Sequence, residues 1–233
     1  MEFINQLIAW DKNLFLSLNS CHSHFWDGFM WLFSSKLVWI PAALSVLYVI
    51  FKDKKGEFFL IFVGLVLTIV MCDQIASSLF KPMFERLRPS HELGNLVHLV
   101  NGYKGGRFGF MSSHAANAFG FAMFSALIFR FKPYTVAIFL WALVNSYSRI
   151  YLGVHYPLDI ICGALLGIGC ALLVYLLYSY LKKNTGFVYK PTVGARATST
   201  GIEYKNMWLI ISMLLLTIYF IVAFGFEIMK FMK

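Results

Sequence analysis

The chain is 233 residues long, 59% hydrophobic and only 13% charged, with a mean hydropathy of +0.69 and a formal net charge of +9. Soluble domains carry about a quarter charged residues, so this composition excludes an ordinary soluble globule and predicts that much of the apolar surplus faces lipid. The basic residues fall in short clusters between apolar runs, with no long basic face and no nucleic-acid motif, which argues against a nucleic-acid partner and for membrane topology and an anionic substrate.

The start, Met1-Glu2-Phe3, lacks the basic region and small-residue cleavage site of a secretory signal peptide. Insertion is therefore expected to rely on the internal apolar segments. Residues 3 to 19 set Phe3, Ile4, Leu7, Ile8, Leu14, Phe15 and Leu18 against Asp11, Lys12 and Asn13, a pattern that predicts a helix lying in the interface. Spans are predicted at about 28–51, with Lys36 snorkelling near its start, and at 58–80, 114–131, 133–148, 157–181 and 207–226. The expected fold class is an all-α membrane protein, a six-transmembrane helix bundle with an N-terminal interfacial helix. It forms one integral-membrane domain over 1–233, with a signature-bearing core at about 28–181.

Cys21, Cys72, Cys162 and Cys170 match no metal-ligand spacing and read as structural thiols. Gly163-Ala-Leu-Leu-Gly167 is a small-residue packing pattern that suits either a homodimer or, preferably, contacts within the bundle. Residues 182–206 read as an ordinary polar loop.

Lysines and arginines divide equally between the two sides of this topology, ten to each. One side packs Lys52, Lys54, Lys55, Arg130, Lys132, Lys182, Lys183, Lys190, Arg196 and Lys205 around the span ends, as cytoplasmic loops do. The other side, with residues 81–111 and 149–156, is then placed outside the cytoplasmic membrane.

Three clusters meet on that outer side: Lys81-Pro-Met-Phe-Glu-Arg-Leu-Arg88-Pro89, Phe110-Met-Ser112-Ser113-His114, and Ser148-Arg149-Ile-Tyr-Leu-Gly-Val-His155-Tyr-Pro-Leu-Asp159. Lys81, Arg88 and Arg149 supply fixed positive charge, and arginine adds a planar fork matched to phosphate oxygens. Ser112 and Ser113 can cap the third span, and Pro157 suits the first turn of the fifth, so two helix starts are expected to point at an anion. His155 has Asp159 four residues on to orient its ring, as a nucleophile or base requires, while His114 is free to protonate a leaving oxygen. No carboxylate cluster suggests a two-metal centre, so neither metal nor cofactor is expected. Arg86 is an even choice as a phosphate contact. Asp73 reads as a structural partner for a cation, although intramembrane carboxylates are functional candidates by default. His91, His98, Lys104 and Arg107 stand in the outer loop, as headgroup contacts or solvated residues.

In order and spacing the clusters resemble the signature of the type 2 phosphatidic acid phosphatase superfamily, K-x6-R-P, P-S-G-H and S-R-x5-H-x3-D. The first and third match fully; the second departs, with Met111 for proline and Ser113 for glycine. The resemblance implies that His155 attacks phosphorus to give a phosphohistidine, that His114 protonates the leaving group, and that Lys81, Arg88, Ser112, Ser148 and Arg149 hold the phosphate, with Ser113 taking the glycine's place. Water activated by His114 then releases phosphate. The implied function is a lipid phosphatase of the bacterial inner membrane acting on undecaprenyl diphosphate, lipid A, phosphatidylglycerol phosphate or phosphatidic acid. A phosphotransferase with another acceptor, or an anion transporter, is the alternative.

Overall fold

A computed structural model describes residues 2–184 and 196–231. Residues 185–195, including Lys190 and the middle of the predicted polar loop, lie outside the described residues. Eight helices carry the architecture: α1 (Glu2–Leu18), α2 (His24–Ser34), α3 (Ile40–Asp53), α4 (Lys55–Phe84), α5 (Ser113–Phe129), α6 (Lys132–Tyr151), α7 (Pro157–Asn184) and α8 (Tyr204–Phe231). Among the described residues, extended pairing is limited to two isolated bridges, Leu87 with Phe108 and Ala197 with Glu203.

The helices α4, α7 and Tyr204–Gly225 of α8 are long and apolar enough to cross a membrane. Their outward residues are bare apolar side chains, such as Phe59 at 76% exposure and Tyr219 at 70%, a surface that water disfavours and lipid accepts. The apolar α5 is shorter, at 17 residues, and α6 ends in the polar run Asn145, Ser146, Ser148 and Arg149.

The predicted first span is not one straight helix. It breaks between α2 and residue 37, and the two halves are bent by 67°. Ser34, Ser35 and Lys36 interrupt the apolar run there, and Ser35 turns extended, at ψ 128°. The break frees the carbonyl of Phe33, which then accepts from Trp39 Nε1 at 2.8 Å and Asn145 Nδ2 at 3.1 Å. Buried backbone groups must find such partners. Counted as one bent crossing, the pair brings the candidate spans to four.

The centre of the bundle is α5, buried on most faces between α4, α6 and α7. Its approach to α7 depends on glycine. A Cβ at Gly167 would lie 2.2 Å from the Ala116 carbonyl oxygen, and one at Gly163 2.5 Å from that of Ser112. The small-residue pattern thus serves contact within the bundle. Because the two backbones touch, the starts of α5 and α7 come side by side, and Ser112 N–H donates to the Asp159 carbonyl at 3.0 Å. That contact puts the second and third motifs next to each other.

The opposite end of the bundle is tied by ions. Glu57 pairs with Lys54 at 3.2 Å and Lys182 at 2.9 Å and accepts from the Tyr178 hydroxyl. Asp53 accepts from Asn206 at 2.8 Å and from Glu203 N–H at 3.1 Å, joining α3 to the start of α8.

Candidate active site

The first motif begins where α4 widens into a π-helical stretch, Ile75–Phe80, just before Lys81. Such bulges recur at functional sites. Here the lysine donates to Ser77 at 3.1 Å and, across the bundle, to Ser113 Oγ at 3.2 Å. The helix stops at Glu85 in the left-handed region, φ 45°, and the chain returns extended through Arg88 to Pro89. Arg88 is held by its Nε donating to the Phe108 carbonyl at 3.1 Å. Gly109 follows, where a Cβ would lie 3.0 Å from Asp159 Oδ2 and 3.2 Å from Arg88 Cγ, so the absence of a side chain lets Arg88 approach the third motif.

His155 and Asp159 are fully enclosed, at 1% and 0% exposure. The His155 Nδ1 faces Asp159 Oδ2 at 3.4 Å, and the same oxygen accepts Tyr156 N–H at 3.0 Å. This is the side chain of an N-terminal helical residue reaching back over its own helix start. Burial, then Arg88, Arg149 and Lys81, hold the His155 imidazole well below its ordinary value of 6.5, so the ring is neutral and its lone pair available. His114, in the first turn of α5, lies within electrostatic reach of His155, Arg149 and Arg88.

Arg149, 4% exposed, donates to Ser34 Oγ and to the Tyr103 hydroxyl at 3.4 Å, while its Nε is buried without a hydrogen-bond partner. Ser148 is fully buried and donates to Asn145 O at 2.6 Å, and Ser112 caps α5 by accepting Ala115 N–H at 3.4 Å. Among the described residues Lys81, Arg88 and Arg149 form no ion pair with a carboxylate. Lys81, Arg88 and Arg149 all lie within electrostatic reach of His155, and Arg149 and Arg88 within reach of His114, an excess of positive charge at this end.

Two expectations change. The start of α7 is not open to an anion at its first turn, because Asp11 of α1 occupies it and accepts Leu158 N–H at 2.9 Å. Arg86 is committed as well, donating to Asp11 at 2.6 Å and to Asp159 at 2.9 Å. Of the two helix starts expected to cradle phosphate, α5 remains. Asp73 does lie within electrostatic reach of a cation, Lys81.

Ser34, Lys36, Tyr103 and Asp11 lie outside the three motifs. The bend after α2 brings Ser34 to Arg149 and Lys36 within electrostatic reach of His114. A mostly apolar cavity of about 320 Å³ opens beside His114 and Lys36 and runs along α6 from Asn145 to Tyr134. Buried Asn117 Oδ1 and Trp141 Nε1 line it without partners. The group spaced to hold a metal ion, His22, Asp27 and His98, contains no residue of the three motifs; its Asp27 accepts the Tyr151 hydroxyl at 2.7 Å.

Apolar helices that bring two histidines and three unpaired cations to one end define a membrane-embedded enzyme acting on a phosphoryl group. The chain belongs to the PAP2 superfamily, whose family model matches residues 57–183. It is 43% identical to a lipid A 4'-phosphatase of Bacteroides thetaiotaomicron, covering 72% of this chain and 75% of that protein. A lipid A 4'-phosphatase of Porphyromonas gingivalis is 40% identical over 79% and 78% of the two chains. Among solved structures, Aquifex aeolicus LpxE superposes with a TM-score of 0.58 at 28% identity, covering 70% of this chain and 93% of that one.

Proposed function

We propose that this membrane lipid phosphatase removes a phosphate from a lipid A-type glycolipid by way of a phosphohistidine. The observation that carries the chemistry is the arrangement itself: His155, held neutral by burial with Asp159 at 3.4 Å, lies within electrostatic reach of three cations that make no ion pair with a carboxylate among the described residues. His155 Nε2 attacks phosphorus while Lys81, Arg88 and Arg149, with Ser112, Ser113 and Ser148 nearby, bind the equatorial oxygens where charge spreads. His114 protonates the departing sugar oxygen, then activates the water that breaks the P–N bond and releases inorganic phosphate. The fixed cations supply the charge a metal ion would bring, so the scheme calls for no metal. Of the four lipid classes the motifs allow, lipid A is favoured by the two relatives at 40% identity or above.

For topology we infer six crossings, with the bent α2–α3 pair as the first and α4, α5, α6, α7 and α8 as the rest, and α1 lying in the outer interface. They form one domain over 1–233. The bundle sits in the bacterial inner membrane with the site on its periplasmic face, where loop 81–111 meets the lipid headgroup, and the Lys54–Glu57–Lys182 knot lies at the cytoplasmic end.

Purified protein in detergent should release phosphate from lipid A, seen by mass spectrometry as a loss of one phosphate, with chelator present and in preference to undecaprenyl diphosphate, phosphatidylglycerol phosphate and phosphatidic acid. His155→Ala should be inactive. Activity that chelator abolishes, or that survives in the variant, overturns the scheme; preference for another lipid overturns the substrate alone.

A further inference from the structure

The N-terminal helix is exposed on every residue from Glu2 to Trp10, yet the next residue, Asp11, is completely buried. A lone buried carboxylate is costly unless charge and hydrogen bonds compensate it. Both its oxygens are committed. Oδ2 accepts from Arg86 Nη2 at 2.6 Å, and Oδ1 accepts Leu158 N–H at 2.9 Å, in the first turn of the helix that carries Asp159. Arg86 is shared in turn: its other terminal nitrogen, Nη1, donates to Asp159 Oδ1 at 2.9 Å, and its guanidinium lies 4.2 Å from the centre of the Tyr156 ring. Tyr156 hydrogen-bonds Glu92, which pairs with Lys12 of the same N-terminal helix. Burial pushes the Asp11 carboxyl above its ordinary 3.8, against the pull of Arg86.

We propose that Asp11 and Arg86 are positioning residues that act on the His155 imidazole through Asp159, so that α1 completes the catalytic apparatus. The inference rests on the assignment of His155 as nucleophile. The fork of Arg86 fixes Asp159 by one oxygen and so presents the other to His155 Nδ1. Asp11 has a separate task. A cation bound to Asp159 alone would draw off the negative charge that must steady the imidazolium as the P–N bond forms. Asp11 takes up the charge of Arg86 and leaves Asp159 anionic toward the ring. A lysine at position 86 could not bridge both carboxylates in one plane.

Asp11→Asn keeps the size and an oxygen for Leu158 N–H while removing the charge. We expect kcat to fall about 30-fold, the range for partners that orient a reacting group, with KM within about twofold. Arg86→Gln in the same chain removes the uncompensated cation, and the double variant should recover at least about fivefold of the lost kcat, a coupling that two merely structural defects would not show. Wild-type kcat in Asp11→Asn, a loss carried by KM, or a double variant no better than the single would overturn the proposal. Should Asp11→Asn fail to fold, Arg86→Lys carries the test: a drop of about tenfold or more in kcat at unchanged KM supports the relay, and wild-type kcat refutes it. His155→Ala assayed in parallel separates the two ideas. If it stays active the nucleophile assignment fails; if it is dead while Asp11→Asn is unimpaired, only the relay falls.

Discussion

The two ends of the bundle both bury charge, and they do so in opposite ways. At the Glu57 end, one carboxylate takes two lysines and a tyrosine hydroxyl, and Asp53 takes Asn206 and a backbone N–H. At the His155 end, Asp11 and Asp159 share Arg86, while Lys81, Arg88 and Arg149 make no ion pair with a carboxylate among the described residues. The first arrangement is closed and holds helices together. The second is left with an excess of positive charge, which is what the proposed phosphate site requires. A buried ion pair says little about function; a buried surplus of one sign says what the ligand must be.

The contrast can be broken most severely at the nucleophile. His155→Ala should lower kcat by at least about 10⁴-fold in a phosphate-release assay, as nucleophile deletions do. The converse change, Glu57→Leu, should destabilise by about 1.5–3 kcal/mol, the worth of hydrogen bonds to a charged group, because it removes the carboxylate that joins Lys54, Lys182 and Tyr178; activity per folded molecule, measured below the melting transition, should be unchanged. Arg149→Lys keeps charge but loses the fork, and kcat should drop about 100-fold, as for loss of one positioned donor. A variant with wild-type kcat would show that Arg149 serves packing alone.

A smaller effect follows from pH. His155 has its folded-state pKa below 6.5 through burial and three cations, so as pH falls below 6.5 the unfolded chain takes up a proton that the native ring refuses. Stability should therefore decline on acidification, by up to about 1.4 kcal/mol per pH unit from this group, and His155→Gln should flatten that part of the curve in pH-dependent melting. The smallest effect is expected at Lys12, whose pair with Glu92 is about a third exposed. Lys12→Ala should cost less than about 0.5 kcal/mol and leave kcat within about twofold, in contrast to its neighbour Asp11.

Much of the site could be read directly. The i,i+4 pair His155 and Asp159, the cap at Ser112 and the cations Lys81, Arg88 and Arg149 sit at spacings that local geometry makes meaningful, and the apolar runs located the helices. Residues whose role depends on distant packing were silent. Asp11 lies 75 positions from Arg86 and Ser34 115 from Arg149, and nothing in a one-dimensional pattern marks such partners. The bend after Ser34, beside Lys36, leaves no mark in the apolar run, because one of its two partners, Asn145, comes from α6.

Composition and motif spacing by themselves determined that the chain is helical and lipid-facing and that cations and histidines gather at its helix ends, because those properties follow from residue type and near-neighbour geometry. Only the tertiary structure decided that Asp11 fills the helix start expected to bind phosphate, and that Arg86 pairs with both Asp11 and Asp159. Buried charges choose partners by three-dimensional proximity, and proximity across a bundle is set by which backbones can touch, here through Gly163 and Gly167.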